Sequence, residues 1–142
     1  MPIRFQLISL SGSKFDDDVA EVILPTVDGV IGVLQGHMPL ISVASNGAIA
    51  VRRNAKDNDA QREFFATNGG VIEVADNVLR VLVDEADHAD DINESEAQAA
   101  LEKAQAMQAE AADEVSLEHA QQLVDRQQVR LQVAGLKRRK QQ

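Results

Sequence analysis

The chain has 142 residues and a formal net charge of −9, with 44% hydrophobic residues but only 3% aromatic ones. That length is one ordinary domain, or a small domain with an appendage, and the apolar content is enough for a real core. The acidic balance and the lack of Trp and Tyr argue against a nucleic-acid binder, and the absence of Cys excludes disulfide, thiolate and cysteine–zinc chemistry.

The N-terminus, MPIRFQLISL, lacks the charged leader and long apolar run of a signal peptide, and no stretch approaches the roughly 18 apolar residues of a membrane span. Ile3, Phe5 and Leu7 alternate with Arg4 and Gln6, the period-2 signature of a strand. Asp16, Asp17 and Asp18 read as a solvated turn. A second apolar run, Val19 to Leu24, stops at Pro25. Asp28–Gly29 is a hairpin-type turn into Val30 to Leu34. Gly36 and Pro39 bracket a bend that carries His37, and Leu40 to Ala44 follows. Asn46–Gly47 gives a second hairpin signal, before Ala48 to Arg52 and a polar loop from Asn54 to Ala60. Glu63 to Thr67, Val71 to Val74 and Val78 to Val83 complete the set. The pattern predicts eight to ten short strands, each needing to bury one face, hence a β-sandwich.

Composition breaks near residue 88. Seven of the eight Gly and all three Pro precede it, whereas 11 Ala and 10 of the 13 Gln follow. The second part therefore reads helical. Its junction, Asp84 to Glu96, holds seven acids and no Lys or Arg, which predicts a solvated connection and a helix start, with Asn93 and Glu96 as a capping box. Ala97, Leu101, Ala104, Met107 and Ala111 make one helical stripe. After a break at Ala112 to Val115, with Ser116 as the expected N-cap, Leu117, Ala120, Val124, Leu131 and Ala134 make another. Two helices of about 18 and 22 residues, joined by a short connection, imply an antiparallel hairpin. The division is 1–87, a β-sandwich, and 88–142, a helical hairpin. The first helix offers mainly Ala, which buries little area, so the hairpin should be held weakly and be able to detach and re-dock.

No phosphate loop, nucleophile elbow or metal-ligand cluster is present in the sequence, and neither a catalytic residue, a metal nor a cofactor is expected. His37 reads as an ordinary loop histidine; a small enzyme built on it lacks a second convergent catalytic group. The basic end, Lys137, Arg138, Arg139 and Lys140, complements the helix macrodipole. Together with Arg126 and Arg130 it also suits an acidic protein surface. A stand-alone sandwich with a helical interaction arm remains the alternative reading.

Two stretches carry a family resemblance. DGVIGVLQGHMPLIS, from Asp28 to Ser42, is similar to the EGxxGxxxGHxPLxx segment of the bacterial F-type ATP synthase ε subunit, and NGGVIEVADNV, from Asn68 to Val78, is similar to its second signature. Asp28 and Gln35 depart from the usual Glu and Pro. The resemblance runs end to end. It implies a non-catalytic rotor subunit of a proton-translocating enzyme, whose sandwich binds the γ subunit and sits on the membrane c-ring. It implies that the hairpin can extend along γ into the catalytic α/β head and block ATP hydrolysis. Thr26, Val27, Asp28, Gly29, Gly36 and His37 match the region facing the ring and γ. Arg126, Arg130, Lys137, Arg138, Arg139 and Lys140 match the helix that meets the catalytic β subunit. The implied setting is peripheral, on the cytoplasmic face of the bacterial plasma membrane, with a plastid thylakoid as the second possibility. Some members bind ATP through a motif written I/L-D-x-x-R-A. Here Ile92 to Ala97 reads INESEA, with Asn93 for Asp and Glu96 for Arg, while Arg126 and Arg130 match the second-helix arginines. Glu96 in place of a phosphate-facing Arg repels a triphosphate, so weak or absent ATP binding is expected.

Overall fold

The computed structural model describes residues 2–141, with side chains through Lys137. Ile3–Ser9 (β1) buries every second residue. Gly12–Val19 (β2) pairs antiparallel with it, so Asp16, Asp17 and Asp18 stand in a strand rather than in the expected turn. Arginines make this possible: Arg4 reaches Asp16 at 2.9 Å and Arg53 reaches Asp17 at 3.2 Å. Glu21–Thr26 (β3), Gly29–Leu34 (β4), Leu40–Arg52 (β5), Glu63–Ala75 (β6), Val78–Val83 (β7) and Ala86–His88 (β8) complete the sheet. Its order is β2-β1-β7-β6-β5-β3-β4, with β8 paired to β6 and the β1–β7 pair parallel.

The eight strands match the predicted number, but not all the predicted turns. Asn46–Gly47 is not a hairpin. It lies inside the 13-residue β5, where Asn46 opposes Asn68 and Gly47 opposes Thr67 of β6. Gly47 serves a different purpose there: a Cβ at that position would sit 3.0 Å from the Pro25 ring. In β5 the inward positions switch from Leu40, Ser42 and Ala44 to Gly47, Ile49 and Val51. In β6 they switch from Phe65 and Thr67 to Ile72 and Val74, across Gly69 and Gly70, which take φ of 99° and 154°. A flat strand keeps one phase, so the shift marks where both long strands turn and the sheet folds over itself. Buried residues from all eight strands then meet in one core, around Phe5, Leu7, Leu24, Ile49, Phe65, Ile72 and Leu79. The molecule is a β-sandwich followed by two C-terminal helices.

Glu94–Glu110 (α1) is capped by Asn93, whose Oδ1 accepts from the Glu96 backbone N–H at 3.1 Å, which is the Asn93 half of the expected capping box. Glu114–Gln141 (α2) begins two residues before the expected N-cap. Asp113, not Ser116, is the cap, because its Oδ1 accepts from the Ser116 N–H at 2.7 Å. At 28 residues α2 is longer than predicted and spans about 42 Å, against about 25 Å for the 17 residues of α1. The helices run antiparallel. Leu101 and Ala104 pack on Val124, with Leu123 and Leu131 beside them. Met107 and Leu117, expected in the stripes, are exposed near the connection. Another face of α2 lies on the sandwich, where Val129 and Val133 meet Ala66, Ala89 and Phe64.

Candidate functional site

Two surfaces and one seam collect the residues singled out in the sequence. The first surface is the edge strand β4 and its ends. At one end, the Thr26 hydroxyl donates to the Gly29 carbonyl at 2.5 Å and accepts from the Asp28 N–H at 3.1 Å, which fixes a tight turn. Val27, Asp28 and Gly29 are exposed there, with Gly29 at φ 124°. At the other end, the Gly36 N–H donates to Asn77 Oδ1 at 3.0 Å, and Asn77 in turn donates to the Pro2 carbonyl. His37 Nδ1 lies 2.7 Å from the Met38 carbonyl. A carbonyl only accepts, so Nδ1 carries the proton and the ring is held against its own backbone. The fold does not gather these residues at one point. It sets them about 20 Å apart, at the two ends of β4.

The second surface was missed from the sequence, apart from Val27. Strand register aligns Ile8 with Leu82, Leu82 with Val71, and Val71 with Val43, and the Val27 N–H donates to the Val43 carbonyl. Ile8 is half-buried, while Leu82, Val71, Val43 and Val27 are exposed, as is Ile41 at 79%. These aliphatic side chains form a continuous outward row across β1, β7, β6 and β5. A polar row flanks it, in which Arg80 donates to Gln6 at 3.2 Å and approaches Glu73 at 3.8 Å. The signal in the sequence was Ile41 and Val43: apolar residues at outward strand positions serve no core. A contiguous exposed apolar row of this kind marks a contact surface.

The seam lies between α2 and the junction that was predicted to be a solvated connection. That junction instead forms β8 and a 3-10 turn over Ala89–Asp91. Three of its acids take the bases of α2: Arg126 Nη2 and Glu85, 2.6 Å; Arg130 Nε and Asp87, 3.6 Å; Lys137 Nζ and Asp90, 2.9 Å. The cavity between Glu85, Asp87, Arg126 and Arg130 holds about 10 Å³, room for about one water. The residues of the nucleotide-type motif are thus otherwise engaged. Ile92 is half-buried on the Ala66–Val133 cluster, Asn93 caps α1, Ala97 is buried, and Arg126 and Arg130 face carboxylates. Arg138, Arg139 and Lys140 lie outside the described side chains.

Such an arrangement binds by shape, apolar area and charge. Among the described residues no three His, Asp or Glu side chains are grouped to hold a metal ion. Charge also serves the sheet itself: the hydrogen bond from Arg4 holds the Asp16 carboxyl below its ordinary pKa.

Residues 2–89 match the model of the ATP synthase delta/epsilon chain β-sandwich domain. The chain is 35% identical over 137 residues to the ATP synthase epsilon chain of Nostoc punctiforme, covering 95% of this chain and 98% of that one. To the ATP synthase epsilon chain of Herpetosiphon aurantiacus it is 34% identical over 142 residues, covering 99% and 100%. Among solved structures it resembles a chain in the cryo-EM structure of the Euglena gracilis mitochondrial ATP synthase OSCP/F1/c-ring, with a TM-score of 0.77 at 22% identity, covering 95% and 81%. It also resembles a chain of the Tetrahymena thermophila mitochondrial ATP synthase central stalk/c-ring, with a TM-score of 0.58 at 11% identity, covering 92% and 95%. These last two show a shared fold. The family model over the sandwich and the relatives matched along the whole length show that the chain belongs to the ATP synthase epsilon family, a structural and regulatory subunit and not a catalytic one.

Proposed function

We propose that this chain is a rotor subunit in the central stalk of a proton-translocating F-type ATP synthase. It couples rotation of the membrane c-ring to the catalytic α/β head through the γ subunit, and its C-terminal helices restrain ATP hydrolysis. Residues 1–87 anchor it and residues 88–142 regulate. The observation that carries the reading is the outward row of Ile8, Leu82, Val71, Val43 and Val27. A subunit that must not slip under torque needs apolar area on its partner face, and this row offers it to γ. The β4 edge, with Thr26, Val27, Asp28, Gly29, Gly36 and His37, meets the c-ring by shape and polar contact. Arg126, Arg130, Lys137, Arg138, Arg139 and Lys140 approach the catalytic β subunit transiently. Its attachment is peripheral, through the complex, on the cytoplasmic face of the plasma membrane; no described helix is long and apolar enough to cross a membrane.

The test is co-purification from gently solubilised membranes. The unsubstituted chain should recover α, β and γ. Val71→Asp places a carboxylate in the middle of the row at an exposed position, so the fold tolerates it. It should lower recovery of γ by at least about tenfold, equivalent to ~1.4 kcal/mol. An unsubstituted chain recovered alone would support the stand-alone binding module instead.

A further inference from the structure

Three of the bases of α2 that would meet an acidic partner, Arg126, Arg130 and Lys137, are already occupied by acids of the same chain. We propose that Glu85, Asp87 and Asp90 act as an internal stand-in for that partner, an electrostatic latch that holds α2 on the sandwich and masks Arg126, Arg130 and Lys137. The inference rests on the reading of α2 as the helix that approaches the catalytic head, and it names how that approach is controlled.

The geometry is a matched ladder. Glu85 and Asp87 are two residues apart on the approach to and within β8, a spacing of about 6.6 Å along a strand. Arg126 and Arg130 are one turn apart on α2, about 6 Å along the axis. The two repeats agree closely enough for both pairs to form at once, and Lys137 extends the ladder to Asp90, in the turn that follows β8.

The latch is also built to release. The apolar contact beneath it is small: Val129 and Val133 of α2 rest on Ala66 and Ala89, with Ala48, Phe64 and Ile92 packed beside them. Pairing is incomplete, since Nε of Arg126 and of Arg130 is buried without a hydrogen-bond partner. Every acid is partly exposed, and exposed ion pairs each shift an equilibrium only a few-fold and weaken with salt. Docked against the junction, the Arg126 and Arg130 side chains are only 34% and 20% exposed, so a partner's acidic surface must displace the junction to reach them, and docking and partner binding compete.

The chain has no Cys, so Lys14→Cys on β2 and Gln128→Cys on α2, both exposed, provide two unique spin-label sites in the full-length protein. Electron–electron distance measurement should show a docked population at about 50 mM salt that falls as salt rises to about 1 M. Glu85→Gln with Asp87→Asn should lower that population at least about threefold at low salt and remove most of its salt dependence. Charge exchange provides the control against misfolding: Arg126→Glu alone should undock α2, and adding Glu85→Arg should restore docking. A docked fraction unmoved by salt and by the neutralised pair overturns the latch. Hydrolysis by the assembled complex separates the latch from the reading it rests on. With Glu85→Gln and Asp87→Asn, the freed helix should lower hydrolysis. If the distances shift as stated and hydrolysis does not, the latch stands and the inhibitory role of α2 falls.

Discussion

Single residues here are set by backbone demands that side-chain type only hints at. Gly70 takes φ 154°, and a Cβ on it would lie 2.1 Å from the Leu82 carbonyl oxygen. That distance is far inside contact, and the obstacle is backbone in the neighbouring strand. Gly70→Ala should therefore destabilise the sandwich by about 2–4 kcal/mol, read as a lower urea midpoint at unchanged m. Asp113 illustrates a different demand. Its carboxylate accepts the Ser116 N–H, and that bond favours the anion and lowers its pKa. A lowered folded pKa means the cap stabilises α2 fully above the ordinary carboxylate pKa of about 3.9, and that this is lost as pH falls through the folded value. The first turn of α2 should fray on acidification below about pH 4, seen in the chemical shifts of Val115 to Leu117. Asp113→Asn keeps the acceptor and should remove the pH dependence; Asp113→Ala should fray the turn at every pH. The break in the helical stripe suggested Ser116 as the cap; the helix start at Glu114, two residues earlier, assigns Asp113 instead.

At the scale of elements, the hairpin is joined by a small apolar seam. The α1 seam buries Ala97, Leu101 and Ala104, only one of which is large. On α2, Gln127 lies on the same stripe as Val124 and Leu131, 7% exposed, and its Oε1 has no hydrogen-bond partner. A buried acceptor without a donor costs roughly 1–3 kcal/mol. Gln127→Leu should remove that cost, raise the melting temperature of the helical part, and slow any opening of the hairpin. Lower or unchanged stability would mean the amide is satisfied by water. The small size of the residues in the α1 seam was legible as Ala content, and helix positions were legible as 3.6-residue periodicity. The continuity of β5 and β6 was not legible, because Asn46–Gly47 and Asn68–Gly70 have the composition of turns. Pairing between the two strands overrode that local preference, each strand satisfying the other's backbone through the bend.

Over the whole molecule, the charge of −9 resolves into two balances: seven bases with thirteen acids before residue 88, and seven with ten from there on. Within the helical part the acids come first and the bases last. In the folded chain three acids of the junction fold back against Arg126, Arg130 and Lys137 of α2. If α2 restrains the catalytic head, a chain ending after Asp91 should keep its sandwich and release that restraint. ATP hydrolysis by the assembled complex should then rise severalfold, measured against the full-length chain at equal subunit recovery. Unchanged hydrolysis would leave the hairpin without an inhibitory role.

The sequence by itself determined the division into strands and helices, the change near residue 88, the absence of catalytic motifs, and the two stretches that carry the family. All of these are local: periodicity, composition and spacing are properties of neighbouring residues. The tertiary structure decided the outward row from Ile8 to Val27, the separation of Gly29 and His37 by the length of β4, and the partners of Arg126, Arg130 and Lys137. Each depends on register between segments tens of residues apart, where a slip of one residue sends a side chain to the opposite face. Burying the shared core fixes that register, and with it the surfaces that a partner can reach.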